Sequence, residues 1–276
     1  MMRRRAVAGL QWAGILAATL FALLPLYWMG LTSFSRANAV LTWPPRLLPD
    51  PADLTLDAYA AVLTTTSALR WLANSTGITL ASILVALAVS VPAGYALSRS
   101  RGREVQVMGA MLLVSKMLPA TVLLTPLYVL ARAAGLLDHP AAVVLGNLSF
   151  AVPLATWMMK EHFDKVPGDI EEAAWIDGCS RLRGLWSVVL PQARPAMAAV
   201  TAYVGVVSWN DFIFARTLLT GGDSTTVTVG AAMLIGEYNI DWPRVMALAL
   251  LATVPVLAMF ALLHRQLVRG MSSGMH

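Results

Sequence analysis

Residues 75–97 read STGITLASILVALAVSVPAGYAL. From Ile78 to Val91 this stretch is apolar on all sides, where a barrel strand would alternate with period two. A helix needs about 20 residues to cross the roughly 30 Å of hydrocarbon in a bilayer. An open strand would leave its backbone groups unsatisfied there, so a membrane helix is the expected structure. Five more blocks meet or approach that length: 10–31, 105–130, 140–159, 196–217 and 245–264. The composition agrees. The 276 residues are 58% hydrophobic and 13% charged, where a soluble domain carries about 25% charge. The expected fold class is an all-α membrane protein with six transmembrane helices.

Lys and Arg between the blocks set an orientation, because cytoplasmic loops carry the excess. The N-terminus, 98–104, 160–195 and the tail hold 13 of them, and the segments 32–74, 131–139 and 216–244 hold six. Both termini and the 160–195 loop are therefore expected in the cytoplasm, and 32–74 outside. The net charge of +5 is read as topology, and no nucleic-acid partner is expected. Arg3, Arg4 and Arg5 before an apolar run, then Ala37-Asn38-Ala39, imitate a secretory signal. The uncharged stretch from Arg5 to Arg36 exceeds the 7–15 residues of a signal core, so 10–31 is expected to be a retained span. Trp43-Pro44-Pro45, Pro49 and Pro51 make the outer segment irregular. Trp12, Tyr27, Trp28, Trp71, Tyr128 and Trp157 fall near span ends, as an interfacial belt or as packing residues. Pro119 and Pro126 predict a kinked third span inside a bundle.

Catalytic chemistry is missing from the pattern. The three lysines, Lys116, Lys160 and Lys165, lie in no glycine-rich phosphate loop, and the four histidines form no metal-binding spacing. No catalytic residue and no metal site are expected. Gly270-Met271-Ser272-Ser273-Gly274 fits G-x-S-x-G formally, but a nucleophile elbow needs a helix after it. Cys179 is the sole cysteine, which excludes an intrachain disulfide.

The polar loop EEAAWIDGCSRLRGLWSVVLP, residues 171–191, contrasts with everything around it. Pro167-Gly168 breaks the preceding helix. Asp169 is expected as N-cap with Glu172 three residues on, an Asp form of the capping box, and Glu171 in the favourable first turn. Gly178 is placed for a left-handed C-terminal cap. Ser180 then caps a second helix whose Leu182, Leu185, Trp186 and Val189 form one apolar stripe, stopped by Pro191 and Pro195. The second helix suits a membrane surface. The first, with Asp169, Glu171, Glu172 and Asp177, suits a soluble partner better than anionic lipid.

Glu172-Ala173-Ala174, Gly178 and Val188-x-Leu190-Pro191 resemble the EAA loop of bacterial ABC importer permeases, whose pattern is EAA, three residues, Gly, nine residues, Ile, one residue, Leu-Pro. Val188 for Ile is the one departure. Over its length the chain is similar to the maltose/maltodextrin-type carbohydrate permeases, through PAGYALSR (92–99), LLTPLYVLARAAGLLDHP (123–140), WNDF (209–212) and LVRGMSSG (267–274).

The resemblance implies a type I ABC importer permease fold in a bacterial inner membrane. Its domains would be 1–69 (span one and the outer segment), 70–264 (the ABC transmembrane region, including the 160–195 EAA loop) and a tail, 265–276. It implies a heterodimer with a second permease subunit, two ABC ATPases that hold the ATP and magnesium, and an extracytoplasmic solute-binding protein. This chain would itself be no enzyme and carry no cofactor, and lipid would surround it. Glu171, Glu172, Ala173, Ala174, Asp177, Gly178, Leu190 and Pro191 are the ATPase-coupling candidates.

Lys116 and Asp211 are ionisable residues inside spans, which marks them as interior or water-facing. With Trp209 and Asn210 they are candidates for the translocation path, although Asn210 and Asp211 suit a bond to a neighbouring helix equally. Gly221-Gly222-Asp223 is either a contact for the binding protein or an ordinary turn. The expected cargo is a sugar. A non-sugar solute (a glycerophosphodiester, amino acid or peptide) is the alternative. A membrane enzyme or secondary transporter would show clustered catalytic residues or inverted repeats, and neither is present.

Overall fold

The computed structural model describes residues 2–40, 42, 47, 48, 50–100, 102–236 and 240–272. Trp43-Pro44-Pro45, Pro49, Ser273 and Gly274 lie outside the described residues. The α-helices in chain order are α1 (Met2–Ser33), α2 (Ala37–Val40), α3 (Asp57–Thr65), α4 (Ala68–Arg99), α5 (Arg103–Ser115), α6 (Ala120–Ala133), α7 (Pro140–Phe163), α8 (Asp169–Ile176), α9 (Arg181–Gly184), α10 (Leu190–Gln192), α11 (Arg194–Trp209), α12 (Ile213–Leu218), α13 (Val227–Met233) and α14 (Trp242–Ser272). Among the described residues there are two isolated β-bridges and no strand.

Among the described residues, four segments are long and apolar enough to cross a bilayer: Gln11–Ser33, Ala68–Arg99, Pro140–Phe163 and Trp242–Gln266. The expected third span is two helices, α5 and α6, bent by 97°, so a simple proline kink within one helix understates it. Pro119 is extended at the head of α6 (φ −60°, ψ 139°), and a proline disfavours helical backbone at the residue before it. The expected fifth span, 196–217, is also interrupted. Helix α11 has 16 residues and ends at Trp209, and α12 starts at Ile213. At 1.5 Å per residue α11 is only about 24 Å long.

The chain divides into two compact units. One comprises 1–69 and 230–254. In it, residues 11–28 of α1 are exposed, whereas Thr32 and Ser33 at its end are buried. At its end the Ser33 and Tyr59 hydroxyls share a hydrogen bond of 2.9 Å, and the Phe34 and Tyr59 rings lie 5.0 Å apart. The Thr55 amide donates to the Phe34 carbonyl at 2.7 Å, and Arg36 to Asp53 at 3.1 Å. The segment that follows α1 thus folds back on the helix end through backbone bonds.

The other unit comprises 70–229 and 255–276 and is built around α7. Phe163, Met159, Val143, Val200, Val204 and Leu218 are fully buried in its core. Lipid tails are as apolar as leucine, so helices associate in a bilayer through close packing and hydrogen bonds. Both occur here. A Cβ on Gly94 of α4 would stand 2.7 Å from Met159 Cβ and 2.9 Å from the Lys160 amide of α7, so only glycine allows the crossing. Asn147 of α7 donates to Ser208 of α11 at 3.0 Å, and Ser208 to Ser82 of α4 at 3.3 Å. That buried thread ties three helices at one level.

Candidate functional site

Helix α8 begins one residue earlier in its capping than expected. Gly168 is the N-cap, no side chain caps the helix, and Asp169 is already inside the first turn. The Asp169 capping box is therefore absent. The acidic first turn remains, where the helix dipole favours it. At the other end Gly178 has φ +86°. The Gly178 amide donates to the Trp175 carbonyl and the Cys179 amide to the Ala174 carbonyl, each at 3.0 Å. These bonds satisfy carbonyls that a helix end leaves open. Cys179 thus serves the turn through its backbone, and its thiol is free.

Ser180 caps the next helix as expected, its hydroxyl accepting from the Arg183 amide at 3.3 Å. After α9 the chain widens into a π turn, Leu185–Val189. Pro191 follows, and its missing N–H and its ring disfavour a regular α-turn back to residue 187. Leu185 and Val189 are buried, whereas Trp186 is 63% exposed. The predicted stripe is therefore narrower: Trp186 leaves it, and the Leu182 side chain lies outside the described residues. Leu190 packs against the core edge and Pro191 is exposed. Arg181 stacks 5.3 Å over the Trp175 ring, and the indole covers Gly184, which fastens α8 to α9 across the turn.

The two neighbouring glutamates diverge. Glu171 is 2% exposed. Its Oε2 accepts from the Tyr95 hydroxyl at 2.6 Å, and its Oε1 accepts from Arg99 Nε at 2.8 Å and from a second Arg99 nitrogen. Ala174, one turn on, is also buried. Glu172, Ala173, Asp177 and Gly178 are exposed, with Ile176 at 86%. Ile176 thus lies exposed between the carboxylates of Glu172 and Asp177. The sequence pattern sets Glu171 beside Glu172 on the partner-facing side, whereas its side chain is buried.

At the opposite end of α7, Asp138 (φ +63°) organises the 218–226 loop. Its carboxylate accepts from the Thr220 amide at 2.5 Å, the Thr220 hydroxyl at 2.8 Å and the Gly221 amide at 2.6 Å. The Gly221 amide foremost, then the Thr220 hydroxyl and amide, hold this carboxyl below its ordinary range. Asn74 donates to the carbonyls of Asp223 and Thr225 at 2.9 and 3.0 Å. Arg70 pairs with Asp223. Gly221, Gly222 and Asp223 are exposed, on a loop held by Asp138, Asn74 and Arg70.

The four path candidates make separate contacts. Lys116, at the α5–α6 bend, donates to the Phe150 carbonyl at 2.7 Å and the Tyr203 hydroxyl at 2.8 Å, and lies 3.4 Å from the Phe150 ring centroid. Asp211 caps α12 by accepting from the amides of Phe214 and Ala215 at 3.2 and 3.0 Å. Asn210 donates back to the Val206 carbonyl at 2.9 Å. Trp209 is buried and lines an apolar groove of about 380 Å³ with Thr76, Ile83, Thr201, Gly205 and Met259. Asn210 and Asp211 thus bond to backbone within four residues of themselves. No cluster of His, Cys, Asp or Glu able to hold a metal occurs among the described residues.

A multi-helix apolar bundle with an anchored, exposed acidic helix at one end defines a membrane transport component, and comparison with known proteins gives the family. Residues 86–273 match the model of the binding-protein-dependent transport system inner membrane component, and the chain belongs to that family. It is 30% identical over 265 residues to the inner membrane ABC transporter permease protein YcjP of Escherichia coli, covering 95% of this chain and 94% of that one. It is 30% identical to the trehalose transport system permease protein SugB of Mycobacterium tuberculosis, covering 92% of each. Among solved structures, a bacterial ABC transporter involved in the import of the acidic polysaccharide alginate superposes with TM-score 0.80 at 26% identity, covering 95% of this chain. The chain is thus an ABC importer permease whose relatives are mostly sugar transporters.

Proposed function

We propose that this chain is the translocation subunit of an ATP-driven importer for a carbohydrate, coupled to its ATPases through α8. The observation that carries the reading is the outer face of α8. Ile176 stands free between Glu172 and Asp177, while Glu171 fastens the same helix to the bundle. A partner cleft with an apolar floor and a basic rim fits that face. Apolar anchors inside a polar rim are the usual carriers of binding energy.

On this reading the chain crosses a bacterial inner membrane six times, two of the crossings being the bent α5–α6 pair and the interrupted α11–α12. The termini and the 160–195 loop face the cytoplasm, a placement that the Lys and Arg asymmetry supports. ATP and magnesium sit on two ABC ATPases. A second permease subunit completes the pathway, and a binding protein delivers cargo to the 218–226 loop. Closure of the ATPases shifts α8, and the bundle switches between inward and outward access, a two-state equilibrium biased by nucleotide. Trehalose, maltose and maltodextrin relatives support a sugar as cargo.

Co-expression with a cognate ATPase, partner permease and binding protein tests the reading. The ATPase should co-purify with the chain, and proteoliposomes should take up sugar only with ATP inside the reach of the ATPase. Recovery of the chain without any ATPase, or uptake independent of ATP, would overturn it. A thermal-shift screen of the binding protein against sugars, amino acids and glycerophosphodiesters separates the sugar reading from its alternative.

A further inference from the structure

Helix α8 hangs between two glycines. Gly168 and Gly178 both have open space where a Cβ would be, and Gly178 is left-handed. Chain connection alone would leave α8 free to pivot. Trp175 and Arg181 fasten it to α9, and what ties it to α4 and α7 is a polar joint of which Arg99, the last residue of α4, makes most. Arg99 Nε and one terminal nitrogen donate to Glu171. The same terminal nitrogen donates to the Val166 carbonyl at 3.2 Å, and the other to the Phe163 carbonyl at 2.9 Å and the Ser98 hydroxyl at 3.0 Å. A guanidinium carries five N–H groups, and these contacts account for all of them.

The partners come from three helices. Phe163 ends α7, where the open carbonyls and the dipole favour a cation. Tyr95 lies one turn before Arg99 on α4, and its ring meets Phe163 edge-on at 5.7 Å. Beside this joint Gly94 brings the α4 and α7 backbones together. The ends of α4 and α7 are therefore already one body, and Glu171 attaches α8 to it.

We propose that Arg99, with Tyr95, is the positioning pair that locks α8 to α4 and α7, so that a push on α8 moves two membrane helices together. The proposal rests on the ATPase-coupling reading above. The fork geometry matters because Arg99 serves Glu171 and two carbonyls from three separate nitrogens, whereas an ammonium offers a single one. Removing one member of a buried pair also leaves the other without its partner.

The test uses the complete transporter in proteoliposomes and reads sugar imported per ATP hydrolysed. Arg99→Lys should still recover the ATPases, yet import per ATP should fall several-fold. Tyr95→Phe, which removes one hydroxyl and keeps the ring, should lower it less. Arg99→Ala and Glu171→Ala combined should cost no more than the worse single change. A wild-type ratio in Arg99→Lys would overturn the locking role and leave the coupling reading standing. If Arg99→Lys does not accumulate in the membrane, Tyr95→Phe decides alone: a lowered ratio supports the lock and a wild-type ratio overturns it. Failure of the wild-type chain to recover ATPases would defeat the coupling reading, and the lock with it.

Discussion

The Asp138 carboxylate reaches across 82 residues to accept both the amide and the hydroxyl of Thr220. It is held below its ordinary acid range by these bonds and by the Gly221 amide. A carboxyl with a lowered folded-state pKa stabilises the fold above its unfolded pKa of about 3.9, and that support is lost as pH falls through the lowered value. The 218–226 loop should therefore hold at pH 5 and loosen only in strong acid. Asp138→Asn tolerates the left-handed backbone but loses the charge and one acceptor. Asp138→Val loses every acceptor and is strained at φ +63°. Amide exchange in 218–226 should rise modestly in the first and strongly in the second. If this loop receives the binding protein, stimulation of ATP hydrolysis by that protein should fall in the same order.

Gly178 sits at φ +86°. Side chains there cost roughly 1–2 kcal/mol, so Gly178→Ala should weaken the turn without unfolding the bundle. Gly178→Pro goes further, because proline cannot take a positive φ and has no amide to give to Trp175. Gly178→Pro should reach the membrane at normal abundance and import no sugar, with Gly178→Ala in between. Normal uptake by Gly178→Pro would show that the turn geometry is idle.

Ile176 offers a cleaner separation of stability from contact. It is 86% exposed, and substitutions at such positions usually change stability by less than about 0.5 kcal/mol. Ile176→Glu should leave the melting temperature of the chain in detergent unchanged and strongly reduce ATPase co-purification. A variant that still recovers the ATPases in full would show that the partner surface lies elsewhere.

The sequence was most informative where structure is local. The apolar block 75–97 is inside a single helix, Gly178 is left-handed, and Ser180 caps its helix, each following from a few adjacent residues. What it concealed depends on distant partners. Glu171 and Glu172 look alike in a helical pattern, and only Tyr95 and Arg99, 76 and 72 residues away, draw one of them inward. Asp211 stood out in the sequence only as ionisable in an apolar block, and the break before α12, which its carboxylate caps, was not legible there. The 97° turn at Lys116–Pro119 was hidden for the same reason. Proline marks where a helix is weak, whereas the packing around it sets the angle.

That bend supplies the last prediction. The Lys116 ammonium joins α5 to the Phe150 carbonyl of α7 and the Tyr203 hydroxyl of α11, with the Phe150 ring against it. Lys116→Met keeps the length and removes the charge, leaving the Tyr203 hydroxyl without this partner. An unsatisfied polar group costs about 1–3 kcal/mol. The melting temperature in detergent should fall, and Tyr203→Phe should recover part of the loss in the double variant, because the two act on one bond. If Lys116 instead contacts cargo, Lys116→Met should raise the KM for transport while the melting temperature stays put. The double-variant melt and the uptake curve together separate a staple at the bend from a residue of the path.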